Sequence, residues 1–133
     1  MTKALIMSLI CSYSQVFGVD PKLALSVARA ESNYNPSVIG EQGEIGLFQV
    51  MPRNFPQFSI RELKNPYTNT MLGLQMISDA KESCPLRGGI NYLICYNYGI
   101  KNAKNIKHPE KFPYILKISR FMKIIQPESC NRE

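Results

Sequence analysis

One glutamate, Glu31, stands at the end of a mostly apolar stretch over residues 23–30. The chain turns at residues 33–36, so Glu31 is predicted to lie in the last turn of a helix. A carboxyl there faces the negative end of the helix dipole and loses hydration against apolar neighbours, and both effects raise its pKa. A raised pKa makes a carboxyl a general acid at neutral pH. A solvated glutamate in a last helical turn would give the same pattern, so this feature alone does not separate the two.

Cysteine and histidine are too few and too scattered for a metal cluster. The four cysteines form no Cys-x-x-Cys pair, and His108 is the one histidine. Neither a metal nor another cofactor is therefore predicted. Cys95 lies in the apolar run 92–96, which favours a buried thiol over a nucleophile. Cys84 and Cys130 flank loop-forming residues, and they are the better candidates for a disulfide if the protein lies outside the cytoplasm.

Helical periodicity dominates the elements that must position Glu31. A first helix is predicted to end at Gly18, and a second to run from Asp20 as N-cap, with Pro21 at its first position, to about Ser32. Residues 37–58 carry three glycines and two prolines, which predicts mainly loop with at most one short strand or hairpin. Further helices are predicted at 59–63, 66–83, 89–98 and 109–125. The predicted fold class is all-α with one irregular glycine-rich loop.

Length and composition predict one domain over residues 1–133. The net charge of +6 favours a polyanionic partner such as cell wall, nucleic acid or anionic membrane. No apolar run approaches the roughly 20 residues that span a bilayer. Residues 3–11 lack the cleavage site of an export signal and are predicted to form the first helix. Cations crowd the last third of the chain, at Lys101, Lys104, Lys107, Lys111, Lys117, Arg120 and Lys123.

Four sequence blocks occur in a fixed order. They are Glu31-Ser32-x-Tyr34-Asn35-Pro36, Gly43-x-x-Gly46-Leu47-Phe48-Gln49-Val50-Met51-Pro52, Asn69-x-x-x-Gly73 and Tyr96-Asn97-x-Gly99. With these blocks the chain resembles, over almost its whole length, the soluble lytic transglycosylase catalytic domain of glycoside hydrolase family 23. The resemblance implies a lysozyme-like fold and cleavage of the β-1,4 bond between N-acetylmuramic acid and N-acetylglucosamine in peptidoglycan.

The resemblance also implies roles for single residues. Glu31 matches the catalytic acid/base of the family. Glu110 and Tyr114 are four residues apart, which predicts one helical face, and Tyr114 is expected to reach Glu31. The substrate-binding positions carried over are Ser32, Gln49, Met51, Tyr96, Asn97, Glu110 and Tyr114. The chain departs from the family pattern at Phe48, Met76, Cys95 and Lys111.

The number of carboxylates bears on the mechanism, because a hydrolysing glycosidase usually needs two. Only Glu41 and Glu44 lie near Glu31 in sequence, and the resemblance gives neither a role. It implies instead that Glu31 protonates the leaving oxygen while the substrate's N-acetyl group assists at C1. Glu31 then activates the muramic C6 hydroxyl, which closes a 1,6-anhydro ring.

Two other functions stay open at the level of sequence. A goose-type-like muramidase would share the fold and the early glutamate but use water, with Glu41 or Glu44 as its base. A catalytically silent wall-binding module of a phage or secretion apparatus is a third hypothesis, against which Glu31 itself argues. The expected partner is the peptidoglycan strand, and nucleic acid is not expected because no reader motif is present. The chain is expected to be a monomer, alone or attached to a secretion or phage assembly, in the periplasm, in the cell envelope or with a phage.

Overall fold

The computed structural model describes residues 1–126 and residue 130. Within these residues the chain is mainly helical, and β pairing is limited to two isolated bridges in the glycine-rich loop, residues 37–58. The predicted all-α fold class is confirmed. The α-helices are α1 (Lys3–Val16), α2 (Pro21–Ser32), α3 (Ile60–Lys64), α4 (Pro66–Ser83), α5 (Leu93–Tyr98), α6 (Ile100–Ala103) and α7 (Pro113–Ile124), and two 3₁₀ turns span Pro52–Asn54 and Pro109–Lys111.

Helix α2 lies between α1 and α7 and is the most deeply buried helix of the site. Every side chain from Leu23 to Ala28 in this helix is buried. Helix α1 also packs on α4, which in turn contacts α3 and α5. The core therefore surrounds the first two turns of α2, and the last turn, with Glu31, reaches the edge of that core.

The last predicted helix is interrupted. Residues Pro109–Lys111 form a 3₁₀ turn, Phe112 is extended with ψ 130°, and α7 begins at Pro113. A proline disfavours the helical conformation in the residue before it, which explains the break. Glu110 and Tyr114 thus lie on different elements, so the prediction that they share one helical face is wrong.

The helix predicted over residues 89–98 begins later, at Leu93, and is followed by α6, which the sequence did not predict. Gly88 and Gly89 have φ of 95° and 51°, and residues 89–92 form turns. Positive φ values of this kind stop a helix from starting there. By contrast, the predicted bounds of α2 and α4 are confirmed.

The glycine-rich loop folds into the core. Its apolar side chains Ile45, Leu47, Phe48 and Val50 are at most 2% exposed. Ile45 and Val50 exchange backbone hydrogen bonds of 2.9 and 3.0 Å, and Ile45 also pairs with Ile39. The loop is therefore anchored in part by its own buried residues.

Two disulfides join the cysteines, Cys11–Cys130 and Cys84–Cys95. Their Cα–Cα distances are 5.4 and 5.8 Å. The prediction of a bridge between Cys84 and Cys130, and that of a free buried thiol at Cys95, are both wrong. Cys84 caps the C-terminal end of α4 and Cys95 lies in α5, so this bridge fixes the two helices to each other.

Candidate active site

Helix α2 ends at Ser32, one residue after Glu31. The helix starts on Asp20, whose carboxylate accepts a hydrogen bond from the Lys22 amide at 3.0 Å, and it stops at Asn33, whose φ of 50° is left-handed. Tyr34 follows with φ 63°, and its buried hydroxyl donates to the Leu25 carbonyl at 3.0 Å. This reversal turns the chain back along α2 and leaves Glu31 in the final helical turn, as the sequence predicts.

Glu31 has one direct side-chain partner among the described residues. The Tyr114 hydroxyl on α7 donates to Glu31 Oε2 at 2.7 Å, so the predicted contact between the two residues is confirmed. Burial raises the pKa of Glu31 from the usual 4.5 to about 7. The hydrogen bond from Tyr114 and the positive charge of Lys117 lower this pKa, while the negative charge of Glu44 raises it. A carboxyl whose pKa lies near neutral pH is suited to proton transfer in both directions.

Asn69 clamps the glycine-rich loop onto α4. Its side chain is fully buried, accepts a hydrogen bond from the Phe48 amide at 2.8 Å, and donates to the Ile45 and Leu63 carbonyls at 2.8 Å each. Gly46 has φ 81°, and a Cβ there would collide with the Asn69 amide. The block Asn69-x-x-x-Gly73 is therefore structural support for the loop.

Gly73 completes this support from the next turn of α4. A Cβ added at Gly73 would overlap the ring of Phe48. The ring of Phe48 is consequently pressed against bare helix backbone, at 0% exposure. This contact fixes the backbone that carries Gln49.

Gln49 has a left-handed φ of 50°, and its amide group donates to the Val38 and Gly46 carbonyls at 3.1 and 3.0 Å. Its side-chain oxygen points toward Gly40, where an added Cβ would lie 2.6 Å from Oε1. The Gln49 amide hydrogens thus stabilise the loop itself, and the side-chain oxygen is the group of Gln49 that remains for a ligand.

Tyr96 reaches the same loop from α5. Its hydroxyl donates to the Phe48 carbonyl at 2.6 Å. Burial, followed by the nearby negative charge of Glu31, raises the pKa of Tyr96 well above its usual value. The same two causes raise the pKa of Tyr114. Both phenols therefore stay neutral donors around Glu31.

Four further residues, Ser32, Met51, Asn97 and Glu110, were predicted to bind substrate. The Ser32 hydroxyl is buried and donates to the Ala28 carbonyl of its own helix at 3.0 Å. Met51 is half-buried and Asn97 is exposed. Glu110 is exposed, and its Oε1 atom lies 3.6 Å from His108 Nδ1. The structure therefore brings together Glu31, Tyr114, Tyr96 and the loop of Gln49, and it leaves Glu110 outside these contacts.

The chain also matches a known protein family. The family described as Transglycosylase SLT domain matches residues 8–119, a range that includes Glu31, the whole glycine-rich loop and Tyr114. The chain belongs to this family.

Individual relatives of this SLT domain are longer proteins. Endo-type membrane-bound lytic murein transglycosylase A from two strains of Klebsiella pneumoniae is 35% identical over 85 residues, covering 54% of this chain and 40% of the relative. A transglycosylase of Enterobacteria phage PRD1 is 26% identical over 92 residues, covering 69% of this chain and 34% of the relative. The chain spans about two fifths of the length of the Klebsiella relatives.

Two residues of the SLT domain contribute to the site although the sequence analysis gave them no individual role. Lys117 donates from Nζ to the Ala30 carbonyl at 3.3 Å, directly before Glu31. Its position three residues after Tyr114, on the same side of α7, was the available signal. Asn69 is the other, and its buried contacts join segments too far apart in sequence for a pattern to reveal them.

No group of histidine, cysteine, aspartate and glutamate suited to a metal ion occurs in the part of the SLT domain that the structure describes. Over the same residues, no helix is long and apolar enough to cross a membrane.

Proposed function

We propose that the chain is a peptidoglycan lytic transglycosylase of glycoside hydrolase family 23, which cleaves the β-1,4 bond between N-acetylmuramic acid and N-acetylglucosamine. The observation that carries this proposal is the partly buried carboxyl of Glu31, with its pKa of about 7 and its hydrogen bond to Tyr114, inside an SLT domain. The printed names of the relatives, lytic murein transglycosylase and transglycosylase, support the same activity.

The reaction needs one group that first gives and then takes a proton. Protonated Glu31 gives its proton to the glycosidic oxygen as the bond from C1 to that oxygen breaks, and the substrate's N-acetyl group assists at C1. The Glu31 carboxylate then removes the proton of the muramic C6 hydroxyl, whose oxygen bonds to C1. Glu31 returns to its protonated form, and no water is consumed.

Attack by the C6 hydroxyl of the same sugar avoids most of the entropy cost of recruiting a separate nucleophile. Tyr114 holds the Glu31 carboxyl in place through both steps. We assign the sugar contacts to the Gln49 side-chain oxygen, Met51 and Asn97, with Tyr96 supporting the loop that presents Gln49. We propose that Ser32 supports the last turn of α2 and that the exposed Glu110 contacts the substrate.

The substrate sets where the protein acts. Peptidoglycan lies outside the cytoplasmic membrane, so the chain works in the periplasm or cell envelope, or with a phage that must pass the wall. Disulfides persist in such oxidising compartments, which fits the two bridges seen here. We propose that residues 1–133 form one domain. This domain acts as a monomer, alone or attached to a larger assembly.

The products of peptidoglycan digestion test the proposal. We expect mass spectrometry of the released muropeptides to find mainly 1,6-anhydromuramoyl ends, one water lighter than the products of hydrolysis. The folded Glu31→Gln variant is the control, since it cannot exchange the proton and should lose at least about 100-fold in rate. Mainly free reducing ends from the wild-type protein would contradict the proposal and indicate a muramidase.

A further inference from the structure

The positive charge of the chain is unevenly distributed. Residues 1–83 hold seven Lys and Arg against seven Asp and Glu, whereas residues 84–126 hold eight Lys and Arg against one acid, Glu110. All eight cations of the second part are exposed. They are Arg87, Lys101, Lys104, Lys107, Lys111, Lys117, Arg120 and Lys123. The excess positive charge therefore lies on the surface that residues 84–126 form.

Helix α7 carries three of these cations and no acidic residue. Lys117, Arg120 and Lys123 follow one another at intervals of three residues, so successive members are about 4.5 Å apart along the helix axis. We call these three residues the cation row. Within residues 1–126 and residue 130, no carboxylate lies at ion-pair distance from any member of the row. No described acidic residue therefore neutralises these charges.

The cation row starts at the catalytic centre. The hydroxyl of Tyr114, about one turn before Lys117, donates to Glu31 Oε2 at 2.7 Å, and Lys117 Nζ donates to the Ala30 carbonyl at 3.3 Å. Lys123 follows Lys117 by about 9 Å along the axis of α7. The row therefore extends from the contacts with the turn that carries Glu31 along the exposed side of α7.

Helix α7 is itself fixed against the rest of the domain. Ile115 and Ile118 are 4% and 0% exposed. The guanidinium of Arg29, on α2, lies 4.4 Å from the centre of the Phe121 ring. Because both helices are held together in this way, the row keeps its position relative to the last turn of α2.

The substrate of the proposed function carries its anions close to the bond that is cleaved. The N-acetylated sugars are neutral, whereas a peptide stem is attached to the lactyl group of the muramic residue and bears carboxylates. Glu31 acts at C1 of a muramic residue, so a stem leaves the same sugar that lies at Glu31. The stem carboxylates are therefore the anions of the substrate that can reach the cation row.

We propose that the cation row is a docking surface for the carboxylates of the peptide stem, so that the domain binds strands with acidic stems better than strands with neutral ones. This inference rests on the proposed function and adds recognition of the stem to recognition of the sugars. Single exposed ion pairs are weak, but several cations acting on one multivalent anion add their effects.

The test uses the double variant Arg120→Gln with Lys123→Gln, which keeps the first member of the row in place. The matched control is Arg61→Gln with Lys81→Gln, which removes one Arg and one Lys at exposed positions of α3 and α4. Both pairs are introduced into the Glu31→Gln protein, so that binding is measured without turnover.

Binding is measured by sedimentation with insoluble peptidoglycan that has been freed of other wall polymers and acetylated on its stem amines. In a second portion of this material the stem carboxylates are converted to neutral amides. A third preparation keeps its covalently attached phosphate polymer. Each binding curve is recorded at low ionic strength and again at about 0.5 M salt, where screening is strong.

We expect the parent Glu31→Gln protein to bind the amidated stems at least about 2-fold more weakly than the acidic ones. The Arg120→Gln, Lys123→Gln variant should bind the acidic stems about 2- to 30-fold more weakly than the parent, the range that two exposed ion pairs provide. Amidation should affect this variant less, and high salt should remove the differences. With Glu31 restored, the same variant should raise KM on acidic stems with little change in kcat.

Equal binding of the parent protein to acidic and amidated stems would overturn the proposal, and so would equal binding by the row variant and the control variant. A loss confined to the preparation with the phosphate polymer would overturn it as well, because that polymer would then be the anion. The binding measurements do not depend on the reaction products. Free reducing ends released by the wild-type protein would therefore contradict the proposed function and leave the docking result standing.

Discussion

At the scale of the residue, Glu31 owes its reactivity to an unfavourable environment. Burial removes water from the carboxyl, and neither the Tyr114 hydrogen bond nor the Lys117 charge compensates for that loss fully, so the pKa of Glu31 stays at about 7. Functional sites commonly retain groups that reduce stability. Ionised Glu31 therefore lowers the free energy of unfolding.

This cost gives a pH-dependent prediction. Because the pKa is raised on folding from 4.5 to about 7, the folded state binds the proton more tightly, and Glu31 destabilises the protein increasingly as pH rises through this interval. Glu31→Gln should therefore raise the free energy of unfolding at pH 8, by up to about 3 kcal/mol. The gain should vanish near pH 4, where wild-type Glu31 is protonated in both states.

Urea denaturation of the wild-type and Glu31→Gln proteins at the two pH values measures the difference, with Glu41→Gln as an exposed control. A Glu31→Gln variant that is no more stable than the wild type at pH 8 would show that water reaches the ionised carboxyl.

At the scale of the element, the site is a junction of α2, α7, α5 and the glycine-rich loop, and the loop depends on one side chain of α4. The Asn69 side chain forms buried hydrogen bonds with one backbone amide and two backbone carbonyls. Leaving buried polar groups without partners costs more than the hydrogen bonds themselves are worth. Replacement of the Asn69 side chain should therefore destabilise the loop strongly, although this side chain is small.

We expect Asn69→Ala to lower the free energy of unfolding by about 3 kcal/mol or more, because several buried backbone groups lose their partner. Activity should fall as well, since the backbone of Phe48 and Gln49 is released. Thermal or urea unfolding and wall-clearing rates measure both effects. Asn54→Ala, at an exposed position of the same loop, is the control. Wild-type stability in Asn69→Ala would mean that the loop is held by its apolar residues alone.

Local signals predicted some elements well. Asp20 and Pro21 specify the start of α2, and Pro66 that of α4, because capping and proline geometry are set by neighbouring residues. The effect of Pro113 on Phe112 is equally local, although the last helix was predicted to be continuous over residues 109–125.

Local sequence signals of this kind do not predict contacts between residues that are far apart in the chain. The contact of Tyr114 with Glu31 was expected from the family resemblance, whereas the Asn69 clamp depends on how the loop folds against α4. Cysteine pairing depends on distances in the folded chain in the same way, which is why Cys84 was assigned the wrong partner.

At the scale of the whole molecule, the two disulfides constrain the chain very differently. Cys11 and Cys130 are separated by 119 residues, and Cys84 and Cys95 by 11. In the loop-entropy description, closing loops of these sizes stabilises the folded state by about 5 and about 3 kcal/mol. The shorter bridge, however, ends one residue before Tyr96.

We therefore predict that removing one disulfide mainly affects stability and that removing the other mainly affects activity. Cys11→Ser with Cys130→Ser should lower the free energy of unfolding more, whereas Cys84→Ser with Cys95→Ser should lower activity more at temperatures where both variants are folded. Urea denaturation and wall-clearing rates distinguish them. Full activity in the second variant would show that packing alone holds α5 in place.

The contact between Phe48 and Gly73 limits how this domain can vary. Cβ and Cγ of Phe48 lie where a Cβ at position 73 would stand, so the contact excludes a side chain at position 73 whatever follows Cβ at position 48. Relatives that keep this loop on α4 should therefore keep glycine at the position of Gly73 while the residue at that of Phe48 varies during evolution. Gly73→Ala should lower the free energy of unfolding as much alongside Phe48→Leu as alone, because leucine retains both atoms, and urea denaturation of the single and double variants measures this.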